Sequence, residues 1–189
     1  VKNGVQTLLT TLKQDPYALE TAHVSVITFD SSARQAVPLT DLLSFQMPAL
    51  TASGTTSLGE ALSLTASSIA KEVQKTTADT KGDWRPLVFL MTDGSPNDDW
   101  RKGLNDFKAA RTGVVVACAA GHDADTSVLK EITEIVVQLD TADSSTIKAF
   151  FKWVSASISV GSQKVESSKK EVIGLEDLPP PPPEVNVVL

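Results

Sequence analysis

The sequence predicts an α/β fold, a doubly wound (Rossmann-like), mostly parallel sheet with helices on both faces. Two observations predict it. Short runs rich in Val, Ile and Ala recur without alternating polar residues, and segments with the apolar spacing of a helix separate them. Parallel strands that are buried on both faces give such continuous apolar runs. Right-handed crossovers between them place helices on both sides of the sheet.

The N-terminal part of the chain predicts one helix and two strands. Residues 1–14 carry apolar side chains at i, i+4, i+7, i+8 and i+11, the spacing of one helix face. Asp15-Pro16 ends this helix, because a residue before proline disfavours helical dihedrals. His23–Phe29 is rich in Val and Ile and predicts a strand. Ala33–Val37 predicts an edge strand that Pro38 closes.

The central part of the chain predicts a helix, a strand and a second helix. Leu58–Gln74 has apolar residues at helical spacing, and a polar, turn-forming segment precedes it. Leu87–Thr92 predicts a buried strand that runs directly into Asp93-Gly94. Asp98–Arg111 predicts a helix with a Trp, a Leu and a Phe on one face.

The following part predicts two further strands, each with a helix after it. Val114–Ala119 is a fully apolar strand. A short helix begins at Thr126 or Ser127, and Ile135–Leu139 forms the last strand. Thr146–Ser159 predicts the last helix, which completes the alternation of helices and strands.

A change of composition predicts one domain over residues 1–160 and a tail over residues 161–189. The tail begins polar and charged and then contains Pro179–Pro183, a polyproline II segment. The apolar end, Glu184–Leu189, follows this stiff spacer and predicts a docking peptide. A disordered terminus is the alternative.

Charge and composition exclude several classes of function. The net charge is −6 and the pI about 4.9, with no basic cluster, which argues against nucleic acid as a partner. The apolar runs are too short to span a bilayer. Cys118 is the single cysteine and lies inside an apolar run, which predicts a buried, inert thiol. A single cysteine also favours a cytoplasmic location.

The residues for nucleophilic or phosphoryl-transfer chemistry are not in place. His23 and His122 are the two histidines, and no serine lies in a Gly-x-Ser-x-Gly elbow, which disfavours a Ser-His-Asp hydrolase. An aspartyl phosphatase would need an aspartate two residues before Asp93, where Met91 stands. We therefore predict that the protein is not an enzyme and has no catalytic residues.

Oxygen ligands for a divalent cation occur at two positions near the predicted sheet edge. Asp93 follows a central strand, and Thr55 lies in the polar loop 53–57 before a helix. Mg²⁺, Mn²⁺ and Ca²⁺ prefer oxygen ligands. Taken alone, Asp93 fits an ordinary Asp-Gly turn and the loop fits an ordinary helix N-cap. Ligands bind at the carboxyl ends of parallel strands, where Asp30 and residues 121–123 are also expected.

The two motifs together resemble the von Willebrand factor A domain family. Residues 53–62 (SGTTSLGEAL) resemble the family's threonine loop, with Thr55 the matching threonine, and 88–94 (VFLMTDG) resembles its strand-ending motif, with Asp93 the matching aspartate. Residues 24–30 (VSVITFD) look like the family's second strand. The resemblance implies a metal-ion-dependent adhesion site, in which an acidic residue of a partner protein completes the shell of a cation.

The family's third motif, an Asp-x-Ser-x-Ser loop after the first strand, is not among these residues, and neither is that strand. We expect both to lie upstream of Val1, and we expect cation binding to be weak or absent without that loop. Asp98, Asp99 and Asp123 are expected mainly as solvated surface acids at the rim of the site. Helix N-termini nearby are expected to favour the same anionic partner.

Within the family, residues 14–18 (QDPYA), Thr92–Asp98 (TDGSPND) and the proline-rich end are similar to TerY-type bacterial proteins. That similarity implies a cytoplasmic module of a tellurium-resistance or stress-response system, with kinase, phosphatase or other tellurium-resistance proteins as partners. Two other hypotheses stay open. One is a metal-independent scaffold of the same fold that binds through helix faces and the tail, and the other is a metal-dependent phosphohydrolase.

Overall fold

The computed structural model describes residues 2–50, 54–93, 95–121, 124–141, 143–168 and 174–188. The elements in chain order are α1 (Lys2–Lys13), α2 (Pro16–Thr21), β1 (His23–Phe29), β2 (Ala33–Asp41), α3 (Leu58–Glu72), β3 (Val88–Thr92), α4 (Trp100–Ala109), β4 (Val115–Ala120), α5 (Thr126–Ile132), β5 (Ile135–Leu139), α6 (Ser144–Ser168) and β6 (Val185–Val188). A short 3₁₀ turn, Leu175–Asp177, precedes β6. The order confirms the predicted α/β class.

The main sheet has the strand order β3-β4-β5-β6. The ladders β3–β4 and β4–β5 are parallel, with Val88 opposite Val115 and Val116 opposite Ile135. The last ladder, between β5 and β6, is antiparallel. A separate antiparallel pair joins β1 to β2. The parallel centre explains why β4 and β5 are continuous apolar runs, since both of their faces are covered.

Two layers of helices enclose the strands. Val116 and Cys118 of β4 are fully buried in a core cluster with side chains of α1, α2 and α6, whereas Ala117 and Ala119 lie in a second cluster with α3, α4 and α5. The alternation along β4 therefore divides one strand between two cores. Helices on both faces agree with the doubly wound prediction.

No ladder joins β1 to β3 in the described part of the chain, yet the two strands lie between the same helical layers. Val24 and Phe89 pack against the first cluster, and Phe29 and Leu90 against the second. All four side chains are half-buried, in contrast to the fully buried Val116 of β4. The strands thus form two pieces of sheet inside a single pair of helical layers.

The edge strand β2 does not end at Pro38, as predicted, but continues to Asp41. The ladder with β1 shifts register here, because Val26 faces Val37 while Val24 faces Thr40. Pro38 lies in this irregularity, where the missing N–H costs no ladder hydrogen bond. The prediction was wrong because a proline is tolerated at a bulge of an edge strand.

The Asp15-Pro16 dipeptide, which ends α1, also begins the unpredicted helix α2. The Asp15 carboxylate accepts hydrogen bonds from the N–H groups of Tyr17 (2.9 Å) and Ala18 (3.2 Å), and Pro16 occupies the first turn. A proline is favoured at this position because its N–H would have no partner in the helix.

Part of the predicted tail belongs to the packed domain. The last helix, α6, extends to Ser168, beyond the predicted end at Ser159, and β6 adds a strand to the sheet. The indole Nε1 of Trp153 donates a hydrogen bond to the Pro179 carbonyl (2.7 Å), and Leu178 and Val185 are buried in the first core cluster. The apolar end predicted as a docking peptide therefore covers the edge of β5.

Candidate metal and partner-binding site

Three loops meet at one end of the strands. They follow β1, precede α3 and follow β3. The N–H of Ser57 donates to the carbonyl of Asp30 (2.8 Å), and the N–H of Asn97 donates to the carbonyl of Thr56 (2.9 Å). These backbone hydrogen bonds bring the loops of Asp30, Thr55 and Asp93 together, as expected for the carboxyl ends of the strands. Of the other predicted edge residues, Gly121 follows β4, and His122 and Asp123 lie outside the described residues.

Thr55 is exposed in the loop before α3, and its backbone is held from the side of β1. Its N–H donates to Ser31 Oγ (3.3 Å). The preceding Gly54 has a φ of 94°, a conformation that suits glycine, and a Cβ atom there would lie 2.1 Å from Ser31 Oγ. The left-handed backbone conformation therefore favours glycine before Thr55, and the Ser31 hydroxyl would have to move to admit any other residue. No hydrogen bond within the described residues occupies the Thr55 hydroxyl.

Asp93 directly follows β3 and is exposed, whereas the preceding Thr92 is buried. The chain thus leaves the core at this residue. A carboxylate in this position is accessible to solvent, to a cation and to a partner protein. Gly94, the second residue of the predicted turn, lies outside the described residues.

Asn97 connects the loop of Asp93 to the loop of Thr55. Besides its N–H donation to the Thr56 carbonyl, its side-chain Oδ1 accepts a hydrogen bond from the Thr56 N–H (2.9 Å). Thr56 is therefore paired in both directions with a single residue. The two loops that carry the predicted metal ligands are held together next to Thr55.

Asp98 caps α3 from a distant part of the sequence, which corrects the expectation of a solvated surface acid. Its carboxylate oxygens accept hydrogen bonds from the N–H groups of Gly59 (3.1 Å) and Glu60 (2.9 Å). These first-turn N–H groups therefore already have an acceptor and are not available to an anionic partner. Asp99 is exposed and makes no side-chain cap bond to α4, and Asp123 lies outside the described residues.

The chemistry of the donors fits a hard divalent cation. The Thr55 hydroxyl and the Asp93 carboxylate are oxygen ligands, and both residues are exposed. Such cations commonly retain water molecules while bound to one or two protein oxygens. Within the described residues no group of three or more His, Cys, Asp or Glu side chains could hold a metal ion. The remaining positions around a cation would be filled by water or by a partner.

The cysteine is not available for chemistry. Cys118 is fully buried in β4, and burial raises the pKa of its thiol to about 12. The prediction of an inert thiol is confirmed, because the reactive thiolate is suppressed near neutral pH.

His23 is exposed at the start of β1 and lies at the opposite end of that strand from Asp30.

The helices of the described residues contain no segment that is long and apolar enough to cross a membrane.

Comparisons with known proteins identify the fold. The family model for the von Willebrand factor type A domain matches residues 1–152. The chain is similar to the solved structure of a von Willebrand factor type A protein from Catenulispora acidiphila, with 16% identity and a TM-score of 0.62, over 84% of this chain and 37% of that one. No curated protein sequence matches the chain significantly.

Two further solved structures are similar. Proximal thread matrix protein 1 of the mussel byssus has 18% identity and a TM-score of 0.57, over 82% of this chain and 42% of its own. The conserved hypothetical protein BatB from Bacteroides thetaiotaomicron has 19% identity and a TM-score of 0.52, over 82% of this chain and 84% of its own. The chain therefore spans well under half of the first two proteins. At these identities the similarity shows the fold alone.

Proposed function

The chain belongs to the von Willebrand factor type A domain family, and we propose that it is a protein-interaction module in which Thr55 and Asp93 hold a divalent cation. Domains of this family are commonly interaction modules rather than enzymes. The proposed partner offers an acidic residue. The cation, Mg²⁺ or alternatively Mn²⁺ or Ca²⁺, would supply an electrostatic bridge between that carboxylate and the domain.

One observation carries this proposal. Thr55 and Asp93 are exposed oxygen donors on two loops, and the paired hydrogen bonds between Asn97 and Thr56 hold those loops together. Because these two residues offer few ligands, we expect weak cation binding by these residues alone. A further loop of the Asp-x-Ser-x-Ser type would strengthen it.

The biological setting belongs to the same proposal. The similarity of the segments QDPYA and TDGSPND to TerY-type proteins supports a bacterial, cytoplasmic role in tellurium resistance or the stress response. Kinase, phosphatase or other tellurium-resistance proteins are the proposed partners.

A metal-independent scaffold is the second candidate. In this case binding would use helix faces and the proline-rich segment, where Pro180 and Pro183 are exposed. Leu178 and Val185 pack into the core, so the exposed prolines between them are the part of this segment that a partner could contact. A metal-dependent phosphohydrolase is a third and weaker candidate.

Mn²⁺ titration of the 189-residue chain, followed by electron paramagnetic resonance, tests the metal proposal. We expect Asp93→Asn and Thr55→Val to weaken Mn²⁺ binding by about tenfold or more, since even the loss of a group that only orients a metal ligand typically costs that much. Asp99→Asn is the matched control, since it removes the same charge from a nearby exposed acid that makes no cap bond. Equal uptake by all four proteins would contradict the metal site.

An acidic peptide distinguishes the three candidates. A blocked peptide with one aspartate should alter the water-proton relaxation of the Mn²⁺-loaded wild type and not of Asp93→Asn. Partner binding that persists in a chelator would favour the scaffold. Hydrolysis of p-nitrophenyl phosphate that requires both Mn²⁺ and Asp93 would favour the phosphohydrolase.

A further inference from the structure

The helix α3, which follows the Thr55 loop, does not cap its own N-terminus. Ser57 occupies the N-cap position and is buried, but its side chain makes no cap hydrogen bond. The first-turn N–H groups of a helix have no partner within the helix and need one from elsewhere. A serine at this position would ordinarily supply one. The start of α3 therefore depends on another part of the chain.

Asp98 supplies both missing acceptors from a position 38 or 39 residues later in the sequence. One carboxylate oxygen accepts from Gly59 N–H at 3.1 Å, and the other accepts from Glu60 N–H at 2.9 Å. These donors are at the second and third positions of α3, where a local cap would bond. The side chain is half-buried. Its negative charge also lies at the positive end of the helix dipole, which adds to the attraction.

Asn97 makes a second connection, one residue from Thr55. The N–H of Asn97 donates to the Thr56 carbonyl, and its side-chain Oδ1 accepts from the Thr56 N–H, both at 2.9 Å. Adjacent residues of the loop after β3 thus hold both the segment before α3 and the first turn of α3. We name Asn97 and Asp98 together the loop latch.

We propose that the loop latch fixes the position of Thr55 relative to Asp93, so that Asn97 and Asp98 are positioning residues of the candidate site. Asp93 precedes the latch by four residues, and Thr55 directly precedes Thr56. Without the latch, the loop after β3 would lose four hydrogen bonds to the segment before α3 and to the first turn of that helix. This inference rests on the proposed metal site for its functional meaning, although the latch itself consists of hydrogen bonds within the protein.

The first arm of the test is nuclear magnetic resonance of the metal-free 189-residue chain. We compare Asp98→Ala, Asp98→Asn and the control Asp99→Asn, which removes the same charge from the neighbouring acid. We expect Asp98→Ala to speed the exchange of the Gly59 and Glu60 amides and to shift the Thr55 and Asp93 amide signals. Asp98→Asn keeps one acceptor and should give a smaller effect. If Thr55 and Asp93 signals are the same in Asp98→Ala as in Asp99→Asn, the proposal is overturned.

The second arm measures Mn²⁺ affinity well below the unfolding temperature of each variant. We expect affinity to fall by about tenfold in Asp98→Ala, less in Asp98→Asn, and not in Asp99→Asn. A purely structural cap would lower the unfolding temperature of Asp98→Ala and leave the affinity of its folded form unchanged, which would overturn the positioning role. If the wild type takes up no Mn²⁺, the metal proposal fails, and the first arm still decides whether the latch positions the two residues.

Discussion

Gly103 of α4 lies directly against the backbone of Gly59 in α3. A Cβ atom at position 103 would be 2.0 Å from the Gly59 carbonyl oxygen, and one at position 59 would be 2.6 Å from the Trp100 Cα. The two helices therefore meet here with no side chain between them. Gly59 also donates its N–H to Asp98, so the close crossing and the cap of α3 occur at the same residue.

The close crossing predicts that Gly103→Ala destabilises the domain. Alanine favours a helix over glycine by about 1 kcal/mol, but an overpacked contact costs about 1–3 kcal/mol, and the opposing atoms here belong to the backbone. We expect a net decrease in the free energy of unfolding, measured by urea denaturation. The control is Asn105→Ala on the exposed face of α4. A Gly103→Ala variant as stable as the wild type would contradict the predicted contact.

The cap of α6 predicts a loss of stability in acid. Hydrogen bonds from the Ser145 hydroxyl, the Thr141 hydroxyl and the N–H and hydroxyl of Thr146 hold the pKa of Asp143 well below its ordinary value of 3.8. A carboxylate with a lower pKa in the folded state stabilises that state above the ordinary pKa, and this contribution is lost as the pH falls. The pKa of Asp125, at the start of α5, is lowered in the same way, chiefly by the hydrogen bond from the Ser127 hydroxyl.

We therefore expect the free energy of unfolding of the wild type to decrease below about pH 4. Asp143→Asn should be less stable than the wild type at pH 7, and the difference should shrink as the pH falls toward 3. Asp79→Asn, in an exposed loop, is the control. Urea titrations at several pH values measure this. A difference that is constant from pH 7 to pH 3 would show that the Asp143 charge does not act as described.

The packing of β6 predicts different effects at two valines of one short strand. Val185 is 3% exposed and lies in the first core cluster, whereas Val187 is 37% exposed. We expect Val185→Ala to lower the free energy of unfolding by about 1–3 kcal/mol, because it removes buried methyl groups and leaves a cavity. Val187→Ala should change it little. Equal effects of the two substitutions would indicate that the strand does not pack on the domain.

The burial of Cys118 predicts slow reaction with thiol reagents. The thiolate is the reactive form, and a pKa of about 12 makes it scarce at pH 8. We expect the rate of labelling by a disulfide reagent in native buffer to follow the unfolding of the domain and to be fast in urea. Rapid native labelling that is independent of added stabilising or denaturing agents would contradict the buried position.

The central strands can be predicted from the sequence alone, because a strand that is buried on both faces needs a continuous run of apolar residues. Val116, Ala117 and Cys118 are apolar in succession since they alternate between two cores. The strand β6 is short and includes Asn186, so its sequence has no such run. Its residues pair with β5 only after a 3₁₀ turn and five prolines have brought the chain back to the sheet, and that return depends on contacts such as Trp153 with Pro179.

The candidate site, too, can be predicted from the sequence only in part. Thr55 and Asp93 are predicted from local features, a polar loop before a helix and an aspartate after a strand. The role of Asp98 could not be identified in this way, because its partners Gly59 and Glu60 are about forty residues earlier in the chain. That Ser57 does not cap α3 with its own side chain is known only from the hydrogen bonds of the structure.

The division of the strands between two pieces of sheet leaves two strand edges to which a further strand could be added. β1 pairs only with β2, and β3 only with β4, among the strands that the structure describes. An unpaired strand edge is a template onto which another extended chain can add. Half-buried apolar side chains such as Phe29 and Leu90 make that addition more favourable.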